Sequence, residues 1–260
     1  MSKPNKAIVV IPVYKLWLSE SEIISLNRCY KILSNYDIVF VAPLSLTAEY
    51  LENKTTFRFD DFYFQNIKGY NTLMLSSLFY EAFSKYEYML VYQLDAFVFS
   101  DKLLYWCNKN LDYIGASWVA KKRGFRNGIR QNISVQKYLK TLKNKQNFEC
   151  DLQLDLLSFK RVGNGGFSLR KIDAFIKITK KYSHWIQKII ENEIPEDTFW
   201  GVLLNLYQAN LITVGTYRQG ISFAFEMNPA RAYRLNWNCL PFGCHDFEDW
   251  DKQFWKRFIR

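Results

Sequence analysis

Ala7-Ile-Val-Val-Ile-Pro-Val-Tyr14 is an apolar run without polar alternation, the pattern of a strand covered on both faces. Pro12 stops it, and a helical pattern follows from Ser19 to about Ser34. Tyr36-Asp-Ile-Val-Phe-Val-Ala-Pro43 repeats the buried-strand pattern. Strand, helix and strand of this kind open a parallel sheet. Phe57-Arg-Phe-Asp-Asp-Phe-Tyr-Phe64 reads as a short third strand with an acidic interruption. After Lys68-Gly-Tyr-Asn-Thr72 the period changes, with Leu73, Leu75, Leu78, Phe79, Ala82 and Phe83 at helical spacing. That helix leads into Leu90-Val-Tyr-Gln-Leu-Asp-Ala-Phe-Val-Phe99, read as one buried strand with Asp95 in its middle or at its end. Asp112 to Trp118 is another short strand and turn. There is no internal repeat and no low-complexity linker, and 260 residues suit one large domain. The expected fold class is α/β, with a mixed, mostly parallel sheet flanked by helices.

Charge adds a partner to this picture. A net charge of +10 with 18% aromatic residues suits an anionic partner: nucleic acid, an acidic membrane surface or a phosphorylated small molecule. A hydrophobic content of 49% excludes a disordered chain. From Lys121 to Asn147 there is no acid, while Lys121, Lys122, Arg123, Arg126, Arg130, Lys137, Lys140, Lys143 and Lys145 are basic. Each charge alone reads as solvated surface. A run this one-sided favours contact with a phosphate-bearing ligand or a membrane, with one helix expected near Val135–Leu142. The five cysteines are scattered with no CxxC pair, so neither a zinc knuckle nor a disulfide framework is indicated. Residues 1–6 are polar, so no signal peptide is expected, and no apolar run reaches membrane-spanning length. The segment Trp250–Arg260 mixes aromatic and basic residues and reads as a helix docked on the domain, or else one lying on a bilayer.

Four segments carry candidate chemistry. An ionised carboxylate among Leu, Val, Tyr and Phe needs a cation, a donor or a ligand beside it. The carboxyl edge of an α/β sheet is where such folds place ligands. Asp95 therefore reads either as a ligand-binding acid or as a cap for the turn at Ser100-Asp101. Val162-Gly-Asn-Gly-Gly-Phe-Ser-Leu-Arg170 puts three glycines in four positions ahead of a strand-like segment and a helix. Such glycines permit close approach of backbone to a ligand, and they serve a plain tight turn equally well. The spacing matches neither a P-loop nor a dinucleotide fingerprint. Glu193-Ile-Pro-Glu-Asp-Thr-Phe-Trp-Gly201 is a helix start, with proline in the first turn and acids at the positive end of the dipole. A carboxylate fixed there can also act as a general base. His245, in Leu240-Pro-Phe-Gly-Cys-His-Asp246, is one of two histidines and sits on a constrained turn, either structural or a ligand to a metal or nucleotide. His184, in Tyr182-Ser-His-Trp185, reads as a surface or partly packed residue of a helix.

The order of these segments resembles the GT-A-fold glycosyltransferases, which carry a DxD strand end, a glycine loop, an xED helix start and a late histidine. Tyr70 to Phe99 is similar to the helix-plus-DxD region of the galactosyltransferase-type members. More closely, Gln93-Leu-Asp-Ala-Phe-Val-Phe99, Gly163-Asn-Gly-Gly-Phe-Ser168, Glu196-Asp-Thr-Phe-Trp200 and Pro241-Phe-Gly-Cys-His245 resemble a largely uncharacterised bacterial domain family assigned to that fold. The resemblance spans roughly residues 7 to 250. It implies a single GT-A-like, Rossmann-related domain: a donor half over about 1–118, a basic excursion over about 119–158, and an acceptor and catalytic half over about 159–260. It implies that Gln93 and Asp95 occupy the outer DxD positions, with Asp95 on a divalent metal or the donor ribose. Pro12, Val13, Tyr14, Ala42 and Pro43 would cradle the base, and Lys68 and Asn71 would reach the donor. Gly163, Asn164, Gly165 and Gly166 would floor the place where donor sugar meets acceptor. Asp197 would be the general base, Glu196 its support or a sugar ligand, and His245 a metal or phosphate ligand. Gln93 departs from the pattern, because an amide binds Mn²⁺ or Mg²⁺ less well than a carboxylate. Either Asp95, His245 and the diphosphate suffice for a metal, or nearby cations replace part of its role.

The function so implied is transfer of a sugar from a nucleotide-diphosphate sugar, a UDP-sugar first, to a glycan or lipid-linked glycan acceptor. With Asp197 as base it would be inverting, though the fold also hosts retaining enzymes. The setting would be bacterial surface-polysaccharide assembly in the cytoplasm, with peripheral contact to the anionic inner membrane face. The alternative is a non-catalytic nucleotide-sugar or glycan-binding protein on the same fold. Nucleic-acid binding is not expected, because Asp95 and the Glu196-Asp197 pair would repel phosphates.

Overall fold

The computed structural model of the chain describes residues 5–119 and 161–259. The basic run Lys121–Asn147, with its expected helix, and Cys150 lie outside the described residues. Strand β1 (Asn5–Pro12) is followed by α1 (Glu20–Ile32), β2 (Asp37–Pro43) and β3 (Thr56–Phe59). Then come α2 (Ile67–Met74), α3 (Ser77–Glu81), β4 (Tyr86–Tyr92), β5 (Phe97–Val98), α4 (Leu103–Cys107) and β6 (Tyr113–Ile114). Beyond residue 160, β7 (Phe167–Lys171) precedes helices Ile172–Lys181 and Ser183–Glu191, and β8 (Ala224–Phe225) and β9 (Gly243–Cys244) come late.

The main sheet has the order β3-β2-β1-β4-β7-β6. Its first four strands are parallel, and β7 runs antiparallel to both β4 and β6. This is the expected mixed α/β sheet. Alternate side chains of each central strand enter opposite layers. Ile8, Val10, Val41, Met89 and Val91 join the layer of α2, α3 and the paired helices after β7. Val9, Ile11, Phe40, Leu90 and Tyr92 join the layer of α1 and α4. A third cluster gathers Phe97, Phe225, Cys244, Phe254 and Trp255 around the small sheet β5-β9-β8. The C-terminal helix Lys252–Trp255 is thus docked on the domain through Phe254 and Trp255, as expected.

Three expectations are corrected. The stretch Phe57–Phe64 is half strand, because Asp60 accepts a hydrogen bond from Phe62 N (2.9 Å) and turns the chain into a 3-10 helix over Asp61–Phe64. The helix expected through Leu73–Phe83 is two helices, since Ser76 accepts from Phe79 N (3.3 Å) and caps a fresh start. Leu90–Phe99 is two strands in two sheets. After Tyr92, Gln93 N donates to Gly166 O (2.8 Å) and Ala96 N to Gln93 O (2.9 Å), closing a turn. Ser25 Oγ then donates to Ala96 O (2.6 Å), pinning that turn to α1. Asp95 rides on the turn with a side chain 48% exposed, and is not a buried strand residue. Among the described residues the four cysteines are free, and no helix is long and apolar enough to cross a membrane.

Candidate functional site

The order 3-2-1-4 reverses direction between β1 and β4, and open α/β sheets bind ligands outside the carboxyl ends of the strands at such a point. A cavity of about 590 Å³ opens there. Pro12, Val13 and Tyr14 from the end of β1 and Gln93, Leu94 and Asp95 from the end of β4 line it. Ile67 and Tyr70 of α2, Lys15, Glu22 and Glu248 complete much of the wall. Of the expected donor residues, Pro12, Val13, Tyr14, Gln93 and Asp95 face this cavity; Ala42, Pro43, Lys68, Asn71, Gly165 and Gly166 do not line it.

Each absence has a physical reason. Ala42 is fully buried among apolar side chains, and Pro43 O accepts from the Arg58 guanidinium (2.9 Å). Helix α2 turns Ile67 and Tyr70 inward at i, i+3 spacing, which rotates their chain neighbours Lys68 and Asn71 to an adjacent face. Lys68 pairs with exposed Glu193 at 3.2 Å, and Asn71 Oδ1 accepts from Glu196 N at 3.4 Å, helping to cap the acid-bearing helix.

His245 reaches two lining residues, Gln93 and Asp95, from the small sheet. Strand β5 pairs antiparallel with β9, Phe97 opposite Cys244, so the turn carrying Asp95 meets the residue after β9. His245 Nε2 lies 3.1 Å from Asp95 Oδ1 and 3.1 Å from Gln93 Oε1, while Nδ1 lies 3.3 Å from Glu226 Oε1. Burial alone would lower the histidine pKa, but Asp95 and Glu226 outweigh it and raise it to about 10. Partial withdrawal from water would raise the Asp95 carboxyl; His245, and more weakly Lys15, instead hold it below its usual value.

A histidine raised from its ordinary value near 6.5 to about 10 stabilises the fold fully below pH ~6.5, and that stability is lost as pH rises through about 10. The expected result is that the thermal midpoint of the metal-free wild type falls between pH ~6.5 and ~10 by more than that of His245→Gln, which has no such group to titrate. Parallel pH profiles of the two proteins would refute this.

Gly166, just ahead of β7, packs against His245 and Gln93. A Cβ built there would stand 2.0 Å from His245 Nε2 and 2.5 Å from Gln93 Oε1, so the glycine keeps the space beside these two atoms free. Asn164, at φ 70°, turns the loop. Its Oδ1 accepts from Gly166 N (3.0 Å) and Phe167 N (3.1 Å). Its own N–H donates to Asp197 Oδ2 (2.9 Å), and Thr198 N donates to Asp197 Oδ1 (2.7 Å). Asp197 is thus fixed through its backbone partners and half-buried. It does not line the cavity, and the glycine loop links it to Gly166, whose O accepts from Gln93 N. Burial, and then the charge of Glu226, push its carboxyl above the ordinary aspartate value.

Glu196 differs. It is 3% exposed and its Oε1 meets the fully buried guanidinium of Arg170 at 2.7 Å. Arg170 also donates to Tyr80 OH (2.8 Å), Ser168 Oγ (3.0 Å) and Gly165 O (3.3 Å). A Cβ on Gly165 would come 2.1 Å from Glu196 Oε1, so Gly165 makes room for this pair. Burial raises the Glu196 carboxyl to about 6, with Arg170 opposing the rise. This pair braces the loop from beneath, so Glu196 supports the site structurally and does not reach the cavity. His184 is on the exposed surface of its helix, as expected.

Sequence reasoning missed Arg170, Glu226 and Lys15. Arg170 carried a signal, a lone charge inside Phe167-Ser-Leu-Arg170, but Glu226 reaches His245 through tertiary pairing that no spacing announces.

Comparison with known proteins places the architecture. The galactosyltransferase LgtC, in complex with donor and acceptor sugar analogs, aligns over 96% of this chain and 94% of its own at 11% identity, with a TM-score of 0.54. An active-site mutant of LgtC aligns over 91% of this chain and 86% of its own at 12% identity, TM-score 0.51. At these identities the likeness shows the fold, a GT-A-type sheet flanked by helices. No curated protein matches the chain in sequence. The model of one family, described as "Protein of unknown function (DUF5672)", matches residues 53–245, a stretch that carries the Asp95 turn, the glycine loop, the Glu196-Asp197 pair and His245; the chain belongs to that family.

Proposed function

We infer that the protein is a glycosyltransferase that moves a sugar from a nucleotide-diphosphate sugar, a UDP-sugar first, to a hydroxyl of a glycan or lipid-linked glycan. The observation that carries this reading is the meeting of Gln93 Oε1 and Asp95 Oδ1, which line the switch-point cavity, with His245 Nε2 beside them, joined through the glycine loop to a fixed Asp197. The cavity wall at the end of β1 offers Tyr14 and Val13 to a base. In the reaction the acceptor oxygen attacks the anomeric carbon as its proton passes to Asp197. The carbon–oxygen bond to the diphosphate breaks, and its electron pair leaves with the nucleoside diphosphate. One base in this role contributes roughly 10²–10⁴-fold. Attack from the face opposite the leaving group gives inversion. The same reading assigns residues 1–118 to donor binding and 159–260 to acceptor and catalysis. It sets the reaction in bacterial surface-polysaccharide assembly at the cytoplasmic membrane face.

Among the described residues no group of three or more His, Cys, Asp and Glu side chains is arranged to hold a metal. The donor set of one amide oxygen, one carboxylate oxygen and one imidazole nitrogen nonetheless fits a divalent cation, in the space Gly166 leaves free. Gln93, Asp95 and His245 would hold it, and Mn²⁺ or Mg²⁺ bound there supplies charge to the departing diphosphate. The described part of the cavity wall supports this. Its described charged residues are Glu22, Asp95 and Glu248 against Lys15, and Lys15 Nζ is already 2.8 Å from Glu22. A diphosphate entering an acid-rich wall needs added positive charge.

The test is a panel of nucleotide sugars read by thermal shift with and without Mn²⁺. The expected result is stabilisation by one donor class, larger with the metal; no shift with any donor would refute the reading. Gly166→Ala should abolish that response and also lower the ligand-free thermal midpoint, because the added methyl pushes the His245 ring away from Asp95 and Glu226, an overpacking cost of about 1–3 kcal/mol. The competing reading, a binding protein without catalysis, is favoured by the amide at Gln93, and turnover separates the two.

A further inference from the structure

We propose that Glu226 is a positioning residue that fixes the His245 ring, holding the proton on Nδ1 so that Nε2 faces Gln93 and Asp95. Strands β8 and β9 pair in parallel with Phe225 opposite Cys244, and His245 N donates to Phe225 O at 3.0 Å. The two residues that follow this register, Glu226 and His245, therefore leave the ladder side by side. Their side chains are 17% and 14% exposed, so little water competes for the Nδ1–Oε1 contact of 3.3 Å.

An imidazole can turn over about its Cβ–Cγ bond and exchange nitrogens for carbons. Both nitrogens face acceptor oxygens, Nε2 with Asp95 Oδ1 and Gln93 Oε1 and Nδ1 with Glu226 Oε1, so both carry protons in this structure. Nε2, beside the bare Cα of Gly166, is the one that can give its proton up to a ligand, and Nδ1 keeps its own. Glu226 is what removes the choice from the other side. It is 19 residues from His245 and belongs to none of the four motif segments. The consequence for sugar transfer rests on the glycosyltransferase reading; the orientation of the ring does not.

The chain has two histidines, and His184 is exposed, so ring signals of the ¹⁵N-histidine-labelled protein are assignable by comparison with His184→Gln. Nuclear magnetic resonance at pH 7 without metal reads the Nδ1–H proton of His245 and its exchange with water. In the wild type this proton is expected to be observed and protected. Glu226→Gln keeps an acceptor oxygen at the same place and should retain it. Glu226→Leu should lose the protected signal by tenfold or more faster exchange. Absence of a proton on Nδ1 in the folded wild type overturns the proposal without any variant. Equal protection in Glu226→Leu, or loss in Glu226→Gln, also overturns it. Because no donor or turnover enters the measurement, its failure is distinct from a failure to find sugar transfer.

Discussion

Asp197→Asn is expected to lower sugar transfer by about 10²–10⁴-fold while leaving donor affinity within a few-fold of wild type. The amide has the same shape but no basic oxygen to take the acceptor proton. One of the two backbone contacts, from Asn164 N or Thr198 N, would face an NH₂ group in the variant. The cost of that mismatch is about 1–3 kcal/mol of stability, so the variant should fold and bind. In the wild type, activity on the acid side requires ionised Asp197 and falls as pH drops through its pKa, which burial and Glu226 hold above the usual aspartate value. The check is kcat and donor affinity measured separately. A variant that loses donor binding and turnover together would assign Asp197 a structural role.

The largest effect on stability should come from the buried pair beneath the glycine loop. Glu196→Leu leaves the Arg170 guanidinium, which has no solvent exposure, facing Tyr80, Ser168 and Gly165 without its counter-charge. Breaking a buried pair from one side costs about 3–5 kcal/mol, a large fraction of a typical 5–15 kcal/mol total. Replacing both partners, Arg170→Met with Glu196→Leu, should recover most of that loss, because desolvation of the two charges is then avoided. Urea unfolding of the two single variants and the double variant forms the cycle. A single-variant loss below about 1 kcal/mol would mean that water or another group already compensates Arg170. The double variant should still turn over poorly, since the Arg170 contact to Gly165 O that braces the loop is gone.

The parts of this site that are contiguous in sequence were legible from it. The apolar runs of β1 and β2 announced a parallel sheet, and the three-glycine run and, farther along, the acid-bearing helix start each marked a segment that the fold brings together. Local rules act over a few residues, and the errors fall where longer-range contacts decide. The run Leu90–Phe99 looked like one strand because nearly all its apolar residues are indeed buried, but its two strand pieces belong to two different sheets. The change of sheet puts Asp95 on an exposed turn, which removes the puzzle of a carboxylate in a strand and replaces it with contact to His245. Lys68 and Asn71 were drawn toward the donor by sequence neighbourhood, yet a step of one residue on a helix rotates a side chain by about 100°. Glu226 had no local mark at all, because its meaning comes from a two-residue ladder between β8 and β9. The basic run Lys121–Asn147, read as a contact for a phosphate-bearing ligand or a membrane, lies outside the described residues, and a total charge of +10 says nothing of where the charge lies.

The central claim is that the switch-point cavity binds a nucleotide sugar and that the chain cleaves it. The most direct measurement is release of nucleoside diphosphate from each of a panel of nucleotide sugars, with Mn²⁺ or Mg²⁺ and without added acceptor, where water accepts slowly. The expected result is slow release from one donor class by the wild type, at least tenfold above Asp197→Asn. A donor that binds the wild type tightly but is released intact, with no nucleoside diphosphate formed under any condition, would contradict it.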